Sequence, residues 1–211
     1  MTAHYPEPGA TVREPGSPIP KETVAPGSHL ADPAPLGLAG FALTTMVLSF
    51  VNTGLFDAKD VAVVLGLALA YGGLVQLCAG MWEFARGNTF GAVAFSSYGG
   101  FWISYWWLVE HDAAKGVDGP GLGLYLICWA VFTGYMMIAA TKVSGAVLTV
   151  FVLLTATYIL LGIAEFSGTA SIGKIGGWVG VATAAAAWYA SFAGVTAFTH
   201  KRALVPTMPF E

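Results

Sequence analysis

From residue 36 onward, long apolar blocks alternate with short polar breaks. The blocks cover residues 36–56, 61–84, 90–109, 121–141, 145–165 and 176–198. Each is close to the ~20 residues that carry a helix across ~30 Å of hydrocarbon. The breaks at 57–60, 85–89, 110–120, 142–144 and 166–175 are short, so successive helices become antiparallel neighbours. The pattern predicts an all-α integral membrane fold, a bundle of six transmembrane helices with both termini on one side.

Composition supports that class. Apolar residues make up 56% of the chain and charged residues 10%, a balance that would leave a water-soluble domain with large exposed apolar patches. The net charge of −3 offers no basic patch, which argues against a nucleic-acid partner. The first 31 residues differ: Pro6, Pro8, Pro15, Pro18, Pro20 and Pro26 fall there among few apolar side chains. No basic stretch followed by an apolar core marks a secretory signal, and residues 1–31 read as a disordered tail. Residues 32–200 form the transmembrane domain and 201–211 a second, short tail. Near the membrane, Lys21, Arg86, Lys142, Lys201 and Arg202 lie on the terminal side, against Lys59, Lys115 and Lys174 on the other. Cations concentrate on the cytoplasmic face, so both tails are expected in the cytoplasm of a multi-pass cell-membrane protein.

Redox, metal and covalent chemistry find little to work with. His4, His29, His111 and His200 all lie outside the blocks, so no histidine pair can clamp a metal or haem within the bundle. Cys78 and Cys128 read as small buried apolar residues. No nucleophile–base pair is evident, and neither an enzyme, a cofactor nor a metal site is expected.

Polar residues inside the blocks instead recur at helical spacing. Phe41, Thr44, Thr45, Leu48 and Asn52 share a face of the first block; Gly72, Gln76, Gly80 and Glu83 share one of the second; Thr155, Tyr158, Gly162 and Glu165 share one of the fifth. Interhelical packing uses the same residue types. Three such stripes together favour a shared, weakly polar path, suited to a small neutral or singly charged solute. In the sixth block, Gly176, Gly180 and Ala184 form a small-residue packing face.

The opening of the first block, Asp32-Pro33-Ala34-Pro35-Leu36-Gly37-Leu38-Ala39-Gly40-Phe41, resembles the Asn-Pro-Ala-Pro-Leu-Gly-Leu signature of the acetate uptake transporter family, the YaaH/SatP type. The run from Tyr71 through Gln76, Gly80 and Glu83 to Tyr98 and Trp102 is similar to that family's longest shared stretch. The resemblance implies uptake of acetate, and in some members succinate, by six-helix subunits that assemble as a homohexamer with one pore each. It implies a pore narrowing at Phe41, Tyr98 and Leu154. Trp102, which closes the shared stretch, is expected partly as a membrane-interface anchor and partly as a pore residue. Asp32 stands where the family has Asn. As an N-cap ahead of Pro33 and Pro35, it would border an anion site made by the N–H groups of Leu36, Gly37 and Leu38. There it would either weaken anion capture or hold a proton. Thr44, Thr45, Asn52 and Gln76 would hydrogen-bond a passing carboxyl group. Two other readings stand beside carboxylate transport: passage of ammonia or ammonium, and a membrane sensor that transports nothing.

Overall fold

The computed structural model describes residues 30–111 and 119–210. The expected tail 1–31 therefore lies almost wholly outside the described residues. Among the described residues, six long helices follow one another: α1 (Ala34–Asn52), α2 (Ala58–Arg86), α3 (Thr89–Glu110), α4 (Gly119–Ala140), α5 (Gly145–Ser167) and α6 (Ala170–His200). Five of them are long and apolar enough to cross a membrane. The other, α3, has 22 residues, as many as a span needs, but carries more Ser and Trp than any of the other five. The chain is an all-α, multi-pass membrane bundle.

Local chemistry sets the helix ends. Before α2, the Asp57 carboxylate accepts from Lys59 N–H at 3.0 Å and Asp60 accepts from Asp57 N–H at 3.1 Å, a reciprocal cap. Gly87, at φ +77°, ends α2 in a left-handed turn that glycine adopts without steric cost. Asn88 then caps α3 by accepting from Gly91 N–H at 3.2 Å. Ser144 caps α5 through Val147 N–H at 3.3 Å. The break expected over 166–175 is shorter than the sequence suggested: α6 already starts at Ala170, because nothing after Gly168 and Thr169 opposes helix, and Lys174 is carried inside it.

The helices close into a ring. α1 packs on α6, α6 on α5 and α5 on α4, while α2 packs on both α1 and α3. Small residues make the close approaches. A Cβ on Gly177 would meet the backbone of Asn52 and of Thr53 just past α1, and one on Gly176 would meet Leu161 of α5. Gly80 and Gly99 sit where α2 crosses α3, against Ser96 and Leu77. The last side of the ring, α3 to α4, is filled by aromatic side chains: Tyr98 with Phe132, and Phe101 with Tyr125 and Trp129.

Residues 203–210 fold back as a strap. The carbonyls of Met208 and Thr207 accept from Gly145 N–H at 2.8 Å and Ala146 N–H at 3.1 Å, and Tyr189 donates its O–H to the Pro206 carbonyl at 2.6 Å. Two of the donors left open at the start of α5 are thereby satisfied by the strap. Cys78 and Cys128 are a correction: both lie exposed on the outer face of the bundle, not inside it.

Candidate functional site

Two cavities lie end to end within the ring. The first, about 90 Å³, opens toward the start of α1 and the end of α2, between α1, α2, α3 and α5. The second, about 270 Å³, lies toward the end of α1 and the start of α4, between α1, α3, α4 and α5. Both exceed the ~10–15 Å³ needed for a single water. Phe41 and Leu154 line both cavities and so form the partition between them. Tyr98, on the first-cavity side, stands with its ring centroid 5.7 Å from that of Phe41. All three are buried, between 3% and 4% exposed.

The local fold explains how polar groups reach these walls. Over Ala70–Val75, α2 widens into a π turn, a rare irregularity often found at functional sites. Gly40 of α1 fits against it, since a Cβ there would come within 2.7 Å of the Tyr71 carbonyl. Gln76 follows directly and faces the first cavity, fully buried, with neither its amide nitrogen nor its oxygen partnered. Two turns on, Glu83 lines the same cavity. Asn88 Nδ2 donates to its Oε2 at 2.9 Å, while its Oε1 has no partner. In the second cavity the Thr45 hydroxyl and Trp102 Nε1 are buried and unpartnered. Buried polar groups are partnered in the great majority of cases. Apart from Ser96 at the α2–α3 crossing and Arg86, whose ion pair is described below, the orphans among the described residues all line the two cavities.

The expected site residues divide accordingly. Leu38, Phe41, Gln76, Glu83, Tyr98 and Leu154 line the first cavity; Phe41, Thr45, Asn52, Trp102 and Leu154 line the second. Trp102 is 2% exposed, which corrects its reading as an interface anchor. Leu36, Gly37 and Thr44 are elsewhere. Leu36 is 45% exposed on the outside, Gly37 is pressed against the Phe95 ring, and Thr44 donates to the Gly40 carbonyl at 2.9 Å while packing on Gly72.

The expected anion site at the start of α1 is also corrected. Pro33 and Pro35 have no N–H. Ala34 N–H goes to Asp32 Oδ1 at 3.1 Å, and Gly37 N–H to the Pro33 carbonyl at 3.0 Å. The first turn therefore has few donors left to offer. Asp32 lines neither cavity, and its carboxylate pairs with Arg86 Nη1 at 2.9 Å. That ion pair offsets the repulsion a free carboxylate would exert on an incoming anion.

Phe151 and Asn88 are among the cavity-lining residues that escaped the sequence reading. Phe151 lines the first cavity with its ring 6.2 Å from Tyr98, one turn before Leu154, and that three-residue spacing was the available signal. Asn88 lines the same cavity and holds Glu83. Glu165 lines the second cavity, as Glu83 lines the first. Among the described residues no cluster of His, Cys, Asp and Glu could hold a metal ion.

A ring of membrane-spanning helices around two chambers, with a hydrophobic partition and unpaired polar groups facing inward, defines a membrane transport protein. The chain belongs to the GPR1/FUN34/yaaH family, whose pattern matches residues 15–211. It is 43% identical over 194 residues to Ammonia transport outward protein 2 of Saccharomyces cerevisiae, covering 88% of this chain and 68% of that one. It is 38% identical over 182 residues to the succinate-acetate/proton symporter SatP of Escherichia coli, covering 85% of this chain and 96% of that one. Among solved structures, the bacterial acetate channel SatP superimposes with a TM-score of 0.80 at 36% identity, over 84% of this chain and 99% of that one.

Proposed function

We propose that this protein carries acetate and related small carboxylates, succinate among them, across the membrane. The path runs within each subunit, from the first cavity past Phe41, Tyr98 and Leu154 into the second. The observation that carries this reading is the set of unpartnered polar groups on a mostly apolar wall. Gln76 offers both a donor and an acceptor, and Thr45 and Trp102 offer donors. Such a set suits one carboxyl group on a short apolar tail. The kinship with an acetate channel and a succinate-acetate/proton symporter supports the same substrate class. Transport is proton-coupled or channel-like; Glu83, with one free oxygen in the first cavity, is the group we propose to carry a proton if coupling operates. Counterflow of labelled acetate in liposomes containing the purified protein tests the proposal. Trapped unlabelled acetate is expected to drive transient accumulation of label. Absence of accumulation from a folded, inserted protein would leave the sensor reading. Accumulation of labelled methylammonium in its place would favour the ammonium reading suggested by the yeast relative's name.

In the membrane, both tails face the cytoplasm, and subunits assemble as a homohexamer. The support is the excess of Lys and Arg at the terminal end, the wide apolar outer faces of the bundle, and the family resemblance. With Cys78 and Cys128 replaced, a single cysteine at Lys115 is expected to react with an impermeant thiol reagent in intact cells. One at Lys201 is expected to be protected, and the opposite pattern would invert the topology.

A further inference from the structure

Tyr98 reaches across the seam where α3 faces α4, and its hydroxyl lies 3.0 Å from the Thr133 hydroxyl. The direction of this hydrogen bond follows from counting protons. A threonine hydroxyl has one, and that of Thr133 goes to the Trp129 carbonyl, 2.7 Å away. The Thr133 oxygen is then an acceptor, and Tyr98 is the donor. The hydroxyl proton of Tyr98 is thus directed away from the path, and the tyrosine meets a passing solute with its ring.

Beyond that bond, the neighbours of the ring among the described residues include four aromatic side chains. Phe132 and Phe41 stand at 5.4 and 5.7 Å, Trp129 and Phe151 at 6.1 and 6.2 Å, between centroids. Such contacts exclude volume without fixing orientation as a hydrogen bond does. Thr133 is fully buried, and among the described residues it is the one polar partner of the Tyr98 hydroxyl. A swing of the ring would leave that hydroxyl unpaired in an apolar setting, which is unfavourable.

We infer that Thr133 is a positioning residue for the constriction: its hydroxyl locks the Tyr98 ring against Phe41 and Leu154. Size discrimination is then set partly from α4, a helix that contributes no described residue to the wall of the first cavity. The inference rests on the proposed role of Tyr98 in the narrowing.

The test compares acetate and butyrate uptake in proteoliposomes for Thr133→Val, Thr133→Ser, Tyr98→Phe and the double variant Tyr98→Phe/Thr133→Val. Valine keeps the shape of threonine and removes the acceptor; serine keeps the acceptor. Thr133→Val and Tyr98→Phe are each expected to lower the acetate-to-butyrate ratio about threefold or more, a part of what one methylene is worth in an apolar pocket. The double variant is expected to match either single one, and Thr133→Ser to keep the wild-type ratio. A wild-type ratio in Thr133→Val, additive losses in the double variant, or a serine variant as impaired as valine would overturn the inference. Should Thr133→Val fail to insert, the serine and Tyr98→Phe arms decide, because an unchanged ratio in Tyr98→Phe also overturns it. Tyr98→Ala separates the two levels: if it relaxes selectivity while Thr133→Val does not, the constriction stands and the positioning role falls. If Tyr98→Ala changes nothing, both fall.

Discussion

Replacing Tyr98 with alanine is expected to lower the preference for acetate over butyrate by about tenfold or more. The ring is one of three side chains at the partition, with Phe41 5.7 Å away and Leu154 on the facing helix. Its removal leaves a gap bordered by Phe41, Phe132 and Phe151, all rigid aromatics that cannot flow into it. A longer acid then finds room where its extra methylenes formerly clashed. An apolar pocket discriminates by about 1–3 kcal/mol per methylene, and butyrate carries two more than acetate. Initial rates of both acids, measured in proteoliposomes at matched protein density, give the ratio. A wild-type ratio in a folded variant would remove Tyr98 from the narrowing.

Gln76→Met is expected to separate transport from stability. In the wild type, both polar atoms of Gln76 are buried without a protein partner. A residue selected for packing alone would lose stability when replaced. An orphaned amide instead costs the folded state its desolvation, about 1–3 kcal/mol for an unsatisfied group, and methionine of similar length lifts that cost. The variant is therefore expected to melt at or above the wild-type temperature. Acetate binding, by contrast, loses a partner whose amide N–H groups can donate to the carboxylate oxygens. A loss of about tenfold or more in apparent affinity follows from a hydrogen bond of that kind. Unchanged acetate affinity would take Gln76 out of the path, and early melting would assign it a structural role.

The spans were legible because lipid as a solvent leaves little choice: an apolar block of about twenty residues must be a helix, and its short flanks must turn. The path within the bundle was legible only in part. Thr44 and Thr45 are adjacent and chemically identical, yet one ties its hydroxyl to Gly40 and the other faces a cavity. About 100° of rotation separates neighbours on a helix, and only the packing of Gly72 against Thr44 shows which one turns inward. The π turn before Gln76 leaves no mark that periodicity can detect. Asp32 and Arg86 are far apart in sequence, so their ion pair could not be anticipated, and the reading of Asp32 as a bare charge at an anion site changed with it. The glycines of α2 were assigned to the path by spacing, but Gly72 and Gly80 serve helix contact instead.

The strap over α5 imposes an order on the making of the protein. Gly145 and Ala146 receive their acceptors from Thr207 and Met208, residues synthesised only after α5 and α6 are complete. A newly made α5 must therefore enter the membrane with these two donors still facing water or headgroups, and only the Ser144 cap in place. A stretch made only after α6 then ties off the helix that carries Phe151 and Leu154. On this sequence of events, the capping of α5 is a late step of assembly.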